Sequence, residues 1–153
     1  MQLTDVMATT IVSVSPETGI GDAAGRMVES DIGAAVVLDG DGDLAGVITE
    51  RDLLRCVSEG LDPSTPVESR MTRHVLTAGP ETEIAEAMAL MVDGHFRHLP
   101  VVNDDGHVIG MVSMRDLMAY TSLRLRGGHL GAGDDLDPAE VIATIFRMRT
   151  GAA

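Results

Sequence analysis

Slid against itself by 64 residues, the chain matches without a gap: fifteen of the 48 positions from 7 to 54 are identical to their counterparts at 71 to 118. Met7 falls on Met71, Pro16-Glu17-Thr18 on Pro80-Glu81-Thr82, Met27-Val28 on Met91-Val92, and Arg51-Asp52-Leu53 on Arg115-Asp116-Leu117. Two copies are too few for a solenoid, because a solenoid buries each repeat between neighbours. The pattern instead predicts a pseudo-twofold pair.

Within the first copy, Ile11 to Val14 reads as a short strand ended by Ser15-Pro16. Thr18 is placed to cap a helix running to about Ser30, with Ile20, Ala23, Ala24, Met27 and Val28 on its apolar side. The apolar run Gly33–Leu38 has the length of a buried strand, and Leu44–Thr49 reads as the next one. Between them, Asp39-Gly-Asp-Gly-Asp43 is a hairpin turn. Its alternating Asp and Gly also suggest calcium, but an EF-hand loop lies between helices, not strands. A helix from Glu50 to about Glu59 completes a β-α-β-β-α unit of an α+β fold. The second copy repeats it: a strand near 75–78, helix 83–93, strand 98–102, a turn at 103–106, strand 107–112 and a helix from Met114.

These boundaries give a first domain over 1–60, a linker over 61–66 whose two prolines, Pro63 and Pro66, interrupt helix, and a second domain over 67–122. A flexible linker over 123–136 follows, rich in glycine at Gly127, Gly128, Gly131 and Gly133. A last helix is expected over 137–149. There Asp137 is the N-cap, Pro138 sits at N1, Glu140 closes a capping box, and the apolar face is Val141, Ile142, Ile145, Phe146 and Met148.

Composition narrows the function classes. The net charge of −13 argues against a broad nucleic-acid interface, which needs a cationic face, and gives no affinity for acidic membranes. No apolar run is long enough to span a bilayer. The single Cys56 cannot form an internal disulfide and reads as a small core residue, which suits a reducing, cytoplasmic setting. The ten methionines occur at helical spacing with other apolar residues and read as core. His95 and His98 stand at a helix-to-strand exit, and no second pair or cysteine completes a metal set. Neither a nucleophile–base pair nor a Walker-type phosphate loop is present, so an enzyme is not expected.

The chemistry concentrates at Gly46-Val-Ile-Thr-Glu-Arg-Asp-Leu-Leu54 and Gly110-Met-Val-Ser-Met-Arg-Asp-Leu-Met118. Each is a strand turning directly into a helix, with Thr49 or Ser113 as N-cap and Asp52 or Asp116 three positions on. A capping box explains this spacing without any ligand. The same groups also suit a nucleotide, because free N–H groups at a helix start favour phosphate. An ionised carboxylate, in turn, accepts two hydrogen bonds from a vicinal diol. Arg51 and Arg115, one residue before each Asp, can add bidentate phosphate contacts.

The Gly-apolar-apolar-Thr/Ser-x-x-Asp unit, present twice in register with Asp-Gly turns and Pro-x-Thr helix starts, resembles a pair of CBS domains over roughly residues 1–122. The resemblance implies two tandem domains packed as a pair, with symmetry-related clefts for adenosine-containing ligands such as AMP, ADP, ATP, S-adenosylmethionine or dinucleotides. It implies that Asp52 and Asp116 hold ribose hydroxyls, that Thr49 and Ser113 meet phosphate, and that Val47, Met111, Ser13 and Thr77 contact the base. It assigns Arg97, His98 and Pro100 to the Thr49/Asp52 cleft, and Gly33, Ala34 and Val36 to the Ser113/Asp116 cleft. On that assignment a polyphosphate is expected to prefer the Thr49/Asp52 cleft. The expected function is a homodimeric regulatory adenosine-nucleotide sensor, with no required cofactor, that signals to an unidentified partner. The rival expectation is a ligand-free dimerisation scaffold.

Overall fold

The computed structural model describes residues 1–129, with side chains described as far as Arg124. The helix expected over 137–149 lies outside the described residues. The order of elements is β1 (Ser13–Val14), α1 (Ile20–Glu29), β2 (Ala34–Leu38), β3 (Leu44–Thr49), α2 (Glu50–Ser58), α3 (Ile84–Asp93), β4 (His98–Val102), β5 (Val108–Ser113) and α4 (Met114–His129). Single 3₁₀ turns at Leu3–Asp5 and Val67–Ser69 precede the two sets.

The chain divides into two compact units that cut across the repeats. Among the described residues, the first holds Met1–Thr9, Ala78–Val101 and residues 110–129, and the second holds Thr10–Thr77 with Val102–Ile109. The opening segment of each repeat therefore lies with the body of the other.

In the second unit, β1 runs parallel to β2 and β2 antiparallel to β3. A parallel pair needs a crossover, and α1 supplies it. Helix α1 buries Ile20, Ala23 and Met27, one stripe at helical spacing. The stripe packs with Val14, Ala35, Val37, Ile48, Cys56, Val67 and Met71 in one apolar core. Cys56 is a core residue, as its sequence context indicates. In the first unit, α3 repeats the stripe with Ile84, Ala87 and Met91. Strands β4 and β5 pair as a two-stranded sheet.

The glycines that open the repeated motif explain the crossed grouping. A Cβ on Gly46 would fall 2.7 Å from both Met71 Sδ and the Thr72 carbonyl oxygen. A Cβ on Gly110 would fall 2.7 Å from Met7 Sδ and 3.0 Å from the Ala8 carbonyl oxygen. Beside each glycine the backbones exchange two hydrogen bonds. Val47 N–H donates to Thr72 (3.0 Å) and Thr72 N–H to Val47 (2.9 Å), while Ala8 N–H donates to Met111 (2.9 Å) and Met111 N–H to Ala8 (3.0 Å). Only a residue without a side chain lets the opening segment lie this close.

Several boundaries differ from the sequence expectation. Helix α1 starts at Ile20 behind Gly19, and Thr18 is not its cap. The Thr18 hydroxyl oxygen instead accepts the Ser15 N–H at 3.0 Å, closing a turn after β1. The strand expected at 75–78 reduces to one bridge, Ala78 to Val101. Residues 123–129, expected as linker, are the last turns of α4. Glycine in a helix costs about 1 kcal/mol relative to alanine, which lowers helix stability without stopping it. The Asp39–Asp43 hairpin is confirmed: Asp39 Oδ1 accepts the N–H groups of Asp41 and Asp43, both at 3.0 Å, and Gly42 takes φ +87.

Gly46→Ala and Gly110→Ala are expected to destabilise the protein by about 1–3 kcal/mol, the usual cost of forcing extra volume into a packed core. Gly25→Ala meets nothing within 4 Å and is expected to stabilise α1 by about 0.5–1 kcal/mol. Urea unfolding midpoints of the three variants check both signs.

Candidate functional site

Both repeated strand-to-helix corners form. Helix α2 starts behind Thr49, whose backbone is extended while its side chain caps the helix. Asp52 N–H donates to Thr49 Oγ1 at 3.3 Å. In return, Asp52 Oδ2 accepts the Thr49 N–H at 2.9 Å and the Thr49 hydroxyl at 2.7 Å. The Ser113 corner at the start of α4 has the same bonds: Asp116 N–H donates to Ser113 Oγ at 3.2 Å, and Asp116 Oδ2 accepts the Ser113 N–H at 3.2 Å and hydroxyl at 2.6 Å. In each case one carboxylate oxygen is committed to the cap.

The second oxygens differ. Asp52 Oδ1 lies 3.9 Å from an Arg55 guanidinium nitrogen, and the Asp52 side chain keeps 16% of its surface exposed. Asp116 is 3% exposed, and its Oδ1 is buried with no hydrogen-bond partner among the described residues. At Asp52 the distant, largely exposed arginine contributes little.

The sheet gathers the other candidates around each corner. Ser13 pairs with Val36, Ala34 with Thr49, and Glu50 N–H donates to the Gly33 carbonyl at 3.0 Å. Gly33, Ala34, Val36 and Ser13 thus stand by the Thr49–Asp52 corner through their backbones. Val47 is buried and Arg51 exposed. Correspondingly, Met114 N–H donates to the Arg97 carbonyl at 2.9 Å, which sets the Arg97 backbone at the Ser113–Asp116 corner of its own repeat. His98 and Pro100 follow on β4, Pro100 being fully buried, and the Ala78 N–H next to Thr77 donates to the Pro100 carbonyl at 3.0 Å. Met111 sits on β5 against Ala8, and Arg115 is exposed. Apart from Met111 against Ala8, these backbone contacts lie within one repeat, whereas the resemblance assigns Arg97, His98 and Pro100, and likewise Gly33, Ala34 and Val36, to the opposite repeat's cleft.

No group of three or more His, Cys, Asp or Glu among the described residues is arranged to hold a metal. His95 lies exposed with φ +56, in the left-handed turn that ends α3. No helix of the described residues is long and apolar enough to cross a membrane.

Sequence reasoning passed over Tyr120. It occupies the repeat position of Cys56, 64 residues on, so a comparison of the copies marks the exchange. The residue is 5% exposed, and its hydroxyl is buried with no partner among the described residues. Burial raises its pKa above the ordinary 10; Arg124 opposes that rise and Asp5 adds to it. A phenol harder to ionise in the fold than in the open chain adds stability that is complete below about pH 10 and is lost as pH climbs through the folded pKa. Tyr120→Phe removes the unpartnered hydroxyl. It is expected to leave stability at pH 7 equal or higher by about 1 kcal/mol, with its advantage widening above pH 10. Denaturant midpoints at pH 7 and 10.5 check this, and a less stable variant at pH 7 would contradict it.

The chain is similar to known proteins in both sequence and fold. A family model described as CBS domain matches residues 3–59 and again 67–122. The CBS domain-containing protein YhcV of Bacillus subtilis is 35% identical over 114 residues, covering 74% of this chain and 80% of that protein. A CBS domain protein from Pyrobaculum aerophilum, solved in complex with AMP, has a TM-score of 0.76 at 25% identity, covering 84% of this chain and 99% of the other. The CBS domain pair of protein MJ0100, solved with 5′-methylthioadenosine and S-adenosyl-L-methionine, has a TM-score of 0.73 at 25% identity over 84% of this chain and 98% of its own.

Proposed function

The chain belongs to the CBS domain family, carrying the domain twice, and from that premise we propose that it is a non-enzymatic regulatory module that binds an adenosine-containing ligand. AMP, ADP, ATP and S-adenosylmethionine are the candidates. The observation that carries this reading is the doubled corner. Each helix start presents a carboxylate with one oxygen tied into the cap and its other oxygen without a close hydrogen-bond donor. That second oxygen suits a ribose hydroxyl, and the N–H groups of the first helical turn suit phosphate. Structures of similar fold hold AMP, or 5′-methylthioadenosine with S-adenosylmethionine, which supports the ligand class.

Regulation follows from coupling. A ligand with different affinities for two arrangements of the module shifts their populations, and a partner that reads one arrangement senses the ligand. We place the protein in the cytoplasm, where a lone buried thiol such as Cys56 stays reduced.

One observation favours assembly as well. Val28 on α1 and Leu54 and Val57 on α2 are large apolar residues left exposed, and the repeat equivalents of the first two, Val92 and Met118, are exposed on α3 and α4. A second copy of the chain is the occupant that matches a surface duplicated by the repeat.

A thermal-shift panel of the adenosine compounds tests the ligand reading. A compound at 100 times its dissociation constant is expected to stabilise the fold by about 2.7 kcal/mol. No shift with any of them, together with a sedimenting dimer that Leu54→Lys dissociates, would instead establish a ligand-free scaffold.

A further inference from the structure

The two corners share a sequence pattern and a set of capping bonds, but their carboxylates sit in different surroundings. The Asp52 side chain keeps 16% of its surface exposed, so its carboxylate stays within reach of water, and the largely exposed Arg55 at 3.9 Å adds little. Asp116 is buried, and its Oδ1 has neither a hydrogen-bond donor nor a cation among the described residues. An acceptor left unpaired in a dry environment loses its hydration without compensation, so any donor that reaches it gains more than at a wet site.

Resting on the reading above, we propose that the corners are unequal ligand seats. Ser113–Asp116 is the primary seat for the neutral diol of a nucleoside, and Thr49–Asp52 is the weaker one. The chemistry required is narrow. Asp116 Oδ2 already accepts the Ser113 N–H and hydroxyl, so Oδ1 is the atom left for the ligand, and an ionised carboxylate oxygen only accepts. The ligand must therefore bring a donor, which a ribose hydroxyl does and a phosphate oxygen does not. The solvated Asp52 gains less from the same hydroxyl, because that bond replaces one to water.

This ranking concerns the sugar and is separate from any preference of phosphate for the Arg97 and His98 side chains. Adenosine, which has no phosphate, isolates it. Since Oδ1 has almost no exposed surface, the tight seat fills only in arrangements that uncover the oxygen, which ties occupancy of this corner to the state of the module.

The test is calorimetric titration of the full chain with adenosine and with 2′-deoxyadenosine. Wild type is expected to show one tight and one weaker site for adenosine. Asp116→Asn keeps the shape of the side chain but loses its charge, and is expected to weaken the tight site tenfold or more. Asp52→Asn is expected to remove only the weaker site. On wild type, 2′-deoxyadenosine is expected to lose about tenfold or more at the tight site, the usual scale for a hydrogen bond to a charged group. That arm needs no variant, so it decides the matter even if Asp116→Asn fails to fold. Loss of the tight site in Asp52→Asn, or equal tight binding of the deoxy compound, overturns the ranking while leaving the ligand class standing. A wild type that binds neither adenosine nor AMP overturns the underlying reading, and the ranking with it.

Discussion

Two glycine-backbone contacts set the architecture. At Gly46 and Gly110 the absence of a side chain lets Met71 with Thr72, and Met7 with Ala8, lie directly on the strand that leads into each helix. Two reciprocal backbone hydrogen bonds then fix each opening segment beside β3 or β5. The glycines thus do more than end a turn. They decide that each repeat's opening segment belongs to the compact unit built around the other repeat, so neither repeat completes a unit from its own sequence. The strands held this way, β3 and β5, are also the ones that deliver Thr49 and Ser113 to their helix starts.

The proposed ligand chemistry uses the same side chains that cap those helix starts. A hydroxyl and a carboxylate three residues apart satisfy N–H groups that the helix itself leaves without partners. The cap uses one carboxylate oxygen, Oδ2, and leaves Oδ1 out of it. On the proposed reading, the capping box and the ligand seat are successive uses of one side chain. The difference between Asp52 and Asp116 then comes from environment alone, since their local bonds are nearly superimposable.

Much of this is legible in the amino-acid sequence. The strands β2, β3 and β4 stand out as apolar runs between turn residues, and the hairpin at Asp39–Asp43 follows from its Asp-Gly alternation. The capping boxes follow from spacing, the duplication from the repeat, and the CBS family from the resemblance of the doubled motif. Thr18 misleads because a hydroxyl beside a helix start can serve a turn instead, here through the Ser15 N–H. Gly127 and Gly128 mislead because glycine weakens a helix without ending it, and α4 continues to His129. The exchange of opening segments is hidden because its hydrogen bonds join residues far apart in the chain, such as Ala8 and Met111. Likewise, no local pattern announces that Asp116 is buried while Asp52 is not, although Met114 stands where the first copy has Glu50, and Tyr120 where it has Cys56.

The central claim is that the two cap carboxylates are where the ligand is read. Backbone amide shifts of the isotope-labelled protein, followed by NMR during titration with AMP, address it directly. The amides of Thr49 to Asp52 and Ser113 to Asp116 are predicted to move most, because the ligand joins the hydrogen bonds that they already share. Saturable shifts confined to the outer faces of α1 and α3, with both corners unmoved, would contradict it.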